Sequence, residues 1–218
     1  MDLKILIVGA SGVGKSAVRR RICEGKYVPN APPTYGVDWG NFSWDTVHSS
    51  AGPLTVKISL LDLAGQHGGG GLSSARGAAG VFAVTDYPVT PESLAECGKW
   101  LATAQRAVGE DCLYGILINK CDLCGTAHGV HRMSDYESAL REFKASTEYG
   151  FNPANVIGHV PVSAREGTNL PGEIQKFLRH VVERQPESMI SEVREDTDTP
   201  KYSTTNVTKR KEKKCGVQ

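Results

Sequence analysis

The sequence predicts an α/β fold: a mostly parallel six-stranded sheet with one antiparallel edge strand and helices on both faces. Two observations predict it. Continuous apolar runs alternate with helix-like amphipathic stretches along most of the chain, the pattern of strands buried on both faces by crossover helices. One further run is joined to its successor by a short polar turn, which permits only an antiparallel hairpin.

The elements follow in order. Leu3 to Val8 is uninterruptedly apolar and reads as the first buried strand, followed by a glycine-rich turn and a helix over Lys15 to Glu24. Trp39 to Val47 breaks the alternation. It leads into His48-Ser49-Ser50-Ala51-Gly52-Pro53, a turn cluster that pairs it with the strand Leu54 to Leu61. Strands at Gly80 to Val84, Leu113 to Ile118 and Val156 to Val162 alternate with helices at Pro91 to Val108, Ser134 to Tyr149 and Asn169 to Arg184. Thr90-Pro91 and Ser134 supply helix starts. In such a sheet the ligand sits at the carboxyl ends of the strands. From Pro186 large apolar residues become scarce, so residues 1–185 form the domain and 186–218 a tail expected to be disordered alone.

The 218 residues suit one domain plus that tail, and a formal charge of +1 gives no whole-molecule case for nucleic-acid binding. Met1 to Val8 is too short for a secretory apolar region, so the six cysteines read as reduced cytosolic thiols. No apolar stretch reaches the roughly 20 residues a bilayer span needs.

Gly9-Ala10-Ser11-Gly12-Val13-Gly14-Lys15-Ser16 fits G-x-x-x-x-G-K-S/T between a strand and a helix, the context that makes this pattern a phosphate-binding loop. The glycines let successive backbone amides turn inward around an anion, and the helix that begins there, with Ala17 in its first turn, points its positive end at the phosphates. Lys15 is placed to reach the β and γ phosphates and Ser16 to bind magnesium. This is the P-loop NTPase arrangement. A P-loop serves kinases, ATPases and GTPases alike, so other motifs must choose.

Asn119-Lys120-Cys121-Asp122 follows the Leu113 to Ile118 strand, where the Asp122 carboxylate can accept from both N1–H and the 2-amino group of guanine. Adenine lacks those donors, and an unpaired buried carboxylate costs about 1 to 3 kcal/mol or more. Asp62-Leu63-Ala64-Gly65-Gln66 follows the preceding strand. It puts Asp62 beside the loop as a magnesium partner, offers the Gly65 amide to the γ-phosphate, and gives Gln66 as the residue orienting the attacking water. Thr34 is the candidate second hydroxyl on magnesium.

Together these ordered motifs resemble the Ras superfamily of small GTPases over Leu3 to Arg184, and imply the G-domain form of the P-loop fold. The resemblance implies that Tyr27 packs on the guanine. It also implies that Ser163-Ala164-Arg165 takes the place of the family's S-A-K loop, the Ala164 amide contacting the guanine O6. Thr34-Tyr35-Gly36-Val37-Asp38-Trp39 and Arg76-Gly77-Ala78-Ala79-Gly80 are similar to Rab signatures. The long hairpin and Gly65-Gln66-His67-Gly68-Gly69 are similar to the divergent Rab subfamily numbered twenty-eight, which also ends in a C-a-a-X box.

What the resemblance implies is a magnesium-dependent GTP/GDP switch that hydrolyses GTP slowly. Its partners are an activating protein, an exchange factor and effectors in endosomal or ciliary membrane traffic, and it works as a monomer. Leu61 and Ala75 stand where Rabs carry aromatic residues, so standard effectors are not expected to fit. Gly68 to Gly71 should leave the second switch loop disordered without a partner. A small P-loop kinase would need an acceptor domain and an arginine-rich lid that the sequence does not offer. A nucleotide-bound scaffold that never hydrolyses stays open.

Cys121, Cys124, His128 and His131 invite a zinc reading, but the gap between the pairs falls far below the roughly 12 residues of a zinc finger. The chain ends Cys215-Gly216-Val217-Gln218 beside a basic run at Lys209 to Lys214. That pairing predicts a prenylated Cys215 with polybasic support, and a cytoplasmic protein held peripherally on membranes. Nuclear targeting or RNA binding is the rival reading of the basic run.

Overall fold

The computed structural model describes residues 1–48, 52–65, 72–124, 136–146 and 148–186. Gln66, His67, Gly68 to Gly71, His128, His131, Ser134 and the tail with Cys215 lie outside the described residues.

Among the described residues six strands form one sheet: β1 (Asp2–Val8), β2 (Val37–His48), β3 (Gly52–Leu63), β4 (Gly80–Asp86), β5 (Leu113–Asn119) and β6 (Val156–Pro161). Their order is β2-β3-β1-β4-β5-β6, and of these six the edge strand β2 runs antiparallel, paired to β3 from Val37↔Leu63 to His48↔Gly52. The hairpin strands are longer at both ends than their apolar content predicts. The ladder carries polar residues such as Asp38 and Asp45, which the antiparallel edge tolerates on its solvated side.

The helices are α1 (Lys15–Glu24), α2 (Pro91–Val108), α3 (Glu137–Ala145) and α4 (Leu170–Glu183). α1 and α2 have the predicted limits. Thr90 caps α2 by accepting from the Ser93 amide at 3.2 Å while Ser93 Oγ accepts from the Thr90 amide at 2.9 Å. α3 corrects the expected Ser134 to Tyr149: it stops at Ala145, and Tyr149 instead stacks beside Phe151 and Phe143. α4 starts one residue late because Asn169 takes φ 60°, outside the helix.

Alternation along β1 divides the core. Leu3, Ile5 and Ile7 join Val18 of α1 and Phe177, Leu178 and Val181 of α4 on one face. Leu6 and Val8 join Leu94, Leu101, Leu140 and Phe143 of α2 and α3 on the other. β1 lies between β3 and β4, so the chain diverges to opposite sides at its carboxyl end, which opens a crevice there. Among the described residues no helix is long and apolar enough to cross a membrane.

Candidate functional site

Loops leaving β1, β3, β5 and β6 meet at that crevice and, with the loop before β2, enclose a cleft of about 460 Å³. Its lining includes Ser11, Gly12, Gly14, Lys15, Ser16 and Ala17 on one side, and Asn119, Lys120, Asp122, Ala164 and Arg165 on the other. Tyr27 and Thr34 close it from the first loop, and Gly65 from β3.

The turn after β1 depends on its glycines. Gly9, Gly12 and Gly14 all have positive φ, and a Cβ on Gly9 would collide with the Val84 carbonyl. Gly14 caps α1 with φ 94° and, as glycine, has no side chain to occupy the first-turn amides of that helix. Lys15 is buried and donates to the Ala10 carbonyl oxygen at 2.8 Å, beneath the turn. Burial pulls its ammonium below the usual lysine range, partly offset by the Asp62 carboxylate. Gly65 presses against the same loop, since a Cβ there would lie 2.5 Å from Lys15 Nζ and 2.7 Å from the Ser11 amide nitrogen.

Three oxygen donors expected from different segments converge. Ser16 Oγ donates to Asp62 Oδ2 and lies 2.6 Å from Thr34 Oγ1, which is itself 3.4 Å from the same carboxylate. Asp62 is fully buried, and its Oδ1 has no partner among the described residues. Burial raises its carboxyl above the ordinary range against the Ser16 hydrogen bond and the Lys15 charge. A buried carboxylate with one orphaned oxygen and two hydroxyls on the other is the hard-oxygen set that a small divalent cation takes, and the residues fit magnesium.

On the far side, Asn119 ties the two halves together. Its amide donates to the Val13 carbonyl oxygen at 2.9 Å, and its Oδ1 accepts from the Ala164 amide at 3.0 Å. The Ala164 N–H is thus engaged by Asn119 in this structure. Ser163 Oγ donates to Asp122 Oδ1 at 2.6 Å, fixing that carboxylate at the cleft wall.

Sequence reasoning missed several supports. Asp86, at the end of β4, pairs with Lys120 Nζ at 2.5 Å, and an acid closing a strand beside the crevice was the available signal. Arg21 donates from Nε to the Ala164 carbonyl oxygen at 2.8 Å and from Nη2 to that of Arg165 at 2.6 Å, holding the β6–α4 loop over the cleft. Arg20 lines the cleft itself. Cys121 and Cys124 flank Asp122, and among the described residues no group of three or more acidic, Cys or His side chains could hold a metal.

The Ras family model matches residues 4–183. Among curated proteins, the chain is 33% identical to Ras-related protein RabC of Dictyostelium discoideum, over 55% of this chain and 60% of that one. It is 34% identical to Ras-related protein SEC4 of Candida albicans over 56% of each. With GTP-binding protein YPT1 of Saccharomyces cerevisiae it shares 30% identity over 87% of this chain and 83% of the relative. The chain thus spans little more than half the length of the first two.

Proposed function

The chain belongs to the Ras family, and on that premise we propose that it is a guanine-nucleotide switch that hydrolyses GTP slowly. The observation that carries the reading is Asn119, which links the glycine-rich turn to the Ser163–Arg165 loop across one cleft and puts Asp122 beside them. A phosphate cradle and a purine-selecting carboxylate are needed together for guanine nucleotides, and Asn119 spans from the turn proposed as the cradle to the loop whose Ser163 bonds Asp122.

In this reading Gly9, Ser11, Gly12, Val13, Gly14 and Ala17 surround the phosphates with backbone amides, and Lys15 meets the β and γ oxygens. Tyr27, Asn119, Lys120, Asp122, Ser163, Ala164 and Arg165 receive the base. Ser16, Thr34 and Asp62 hold magnesium, which when bound supplies charge neutralisation on the phosphates. Gly65 donates its amide to the γ-phosphate, and Gln66 orients the attacking water. Chemistry of this kind depends on positioning and electrostatics, so these residues do most of what is required. The missing charge falls to an activating protein, and loss of the γ-phosphate releases Thr34 and Gly65.

The names of the relatives and the signature at Thr34 to Trp39 support a Rab-type role in vesicle traffic; the long hairpin and Gly65-Gln66-His67-Gly68-Gly69 are what favour the divergent subfamily numbered twenty-eight, with endosomal or ciliary membranes as the proposed destination. Residues 1–185 are then the G domain, and 186–218 a tail whose basic run and prenylated Cys215 anchor a cytoplasmic monomer to the bilayer. Exchange factor, activating protein and effectors are its partners.

The direct test is to identify the nucleotide that co-purifies with the chain and to follow γ-phosphate release from GTP with and without cell extract. GDP or GTP in the extract and slow release accelerated by extract are expected. Adenine nucleotide, or no turnover under either condition, contradicts the reading.

A further inference from the structure

Three consecutive arginines, 19 to 21, occupy one turn of α1, and Arg19 is the one turned inward, at 5% exposed. Its Nη2 pairs with Asp38 Oδ2 at 2.7 Å. Its Nη1 donates to the Trp39 carbonyl oxygen at 3.2 Å and lies 3.3 Å from Glu24 Oε1. The guanidinium rests on Gly40, where a Cβ would come within 2.9 Å of Nη1 and 2.7 Å of Cys23 Sγ, so a side chain there would have to displace them. Asp38 is held from its other oxygen too, Oδ1 accepting from the Trp39 amide at 2.9 Å. Charge, strand carbonyl and a glycine seat together make a clasp between α1 and the first residues of β2.

Just upstream the backbone bends. Gly36 has φ 74°, and its carbonyl accepts from the Ala64 amide at 2.9 Å, which pins the bend to the end of β3. Thr34 and Tyr35 lie before that bend, Asp38 and Trp39 after it. The contacts of Thr34 are with Ser16 and Asp62, so they answer to whatever occupies the cleft. The ion pair of the Asp38 side chain is with Arg19, which does not line the cleft, although the Asp38 backbone pairs with Asp62 in the β2–β3 ladder.

We propose that Arg19 is a positioning residue that clasps the start of β2 to α1 in both nucleotide states. The first switch then hinges at Gly36, and Trp39 is presented whether GDP or GTP is bound. Trp39 is 69% exposed and Tyr35 82% exposed, yet on this account only Tyr35 moves with the nucleotide. A partner docking through Trp39 alone would be insensitive to nucleotide. One that also grips Tyr35 would discriminate. The inference rests on the nucleotide-switch reading above.

Hydrogen–deuterium exchange of the full chain loaded with GDP·Mg or GTPγS·Mg tests it. In the wild type, amides 37–40 should exchange at rates within about twofold of each other in the two states, while those before Gly36 differ. In Arg19→Leu, amides 37–40 should open about tenfold faster with GDP and change little with GTPγS, where Thr34 still anchors the segment. Asp38→Asn, at a partly exposed carboxylate, should reproduce this without risk to the core, and Arg19→Lys should fall between, because an ammonium cannot fork to two acceptors. A merely structural arginine would raise exchange equally in both states, and that result overturns the clasp, as does a wild type whose residues 37–40 open only with GDP. Nucleotide retained in the same samples tests the switch reading separately. Should the wild type hold none, nucleotide-free Arg19→Leu and wild type must still differ over 37–40, and equal exchange refutes the clasp.

Discussion

The side-chain amide of Asn119, at the end of β5, donates to the carbonyl oxygen of Val13 at 2.9 Å, joining two loops more than a hundred residues apart in the chain. The same side chain accepts from Ala164 at 3.0 Å. Buried hydrogen bonds of this kind matter chiefly when one partner is removed, because the other is left desolvated and unpaired.

Asn119→Ala is therefore expected to lose nucleotide retention far more than fold. Two orphaned backbone groups at about 1 to 3 kcal/mol each, about 2 kcal/mol together at the least, correspond to a rise of roughly 30-fold or more in GDP dissociation rate. Stopped-flow release of a fluorescent GDP measures it, and an unchanged rate would show that the bridge plays no part in binding.

Gly65→Ala probes the γ-phosphate side. The new Cβ would meet Lys15 Nζ and the Ser11 nitrogen at 2.5 and 2.7 Å, so the segment must back away from the turn. GTP hydrolysis should fall by about tenfold or more, with GDP affinity nearly retained, since the lost amide serves only the γ-phosphate. Equal loss of both nucleotides would place Gly65 elsewhere in the mechanism.

Asp62 gives a pH-linked prediction whose sign follows from its environment. Burial raises its carboxyl in the folded state, so the nucleotide-free fold binds that proton more tightly than the unfolded chain. Its contribution is neutral below the ordinary aspartate range and turns destabilising as pH rises through the raised folded value. Asp62→Asn should accordingly raise the melting temperature of the nucleotide-free chain at neutral pH while abolishing the slowing of GDP release by magnesium. A variant that melts lower at neutral pH, or still responds to magnesium, removes Asp62 from the proposed cation site.

Much of the fold was legible because continuous apolar strands and 3.6-residue amphipathicity are strong signals, and α1 and α2 fall within their predicted limits. The gathering of Ser16, Thr34 and Asp62 was legible from motif order, and the structure brings those three together. Three adjacent arginines were not separable in the sequence, where a cationic run reads as a solvated face. In the fold Arg19 is sealed under β2, Arg20 lines the cleft and Arg21 holds two carbonyls of the β6–α4 loop. Helix phase and the course of β2 decide among them, and neither is a local property. α3 was overextended because Tyr149 continues the apolar period, yet it stacks on the neighbouring Phe151 rather than extending the helix.

Asp122→Asn tests base selection. A carboxamide can donate to the 2-oxo group of xanthine where the carboxylate accepted from the guanine amino group. The variant should weaken GDP by about 100-fold, consistent with about 3 kcal/mol for a lost paired carboxylate, and gain affinity for xanthosine diphosphate. Unchanged selectivity would remove Asp122 from the site, although Ser163 holds it at the cleft wall.

The most direct measurement is isothermal titration calorimetry of the nucleotide-stripped wild-type chain with GDP and with ADP, in magnesium. The account predicts GDP bound at least about 1,000-fold more tightly, the discrimination expected when buried polar groups are left unpaired by the wrong base. ADP bound as tightly as GDP would contradict it.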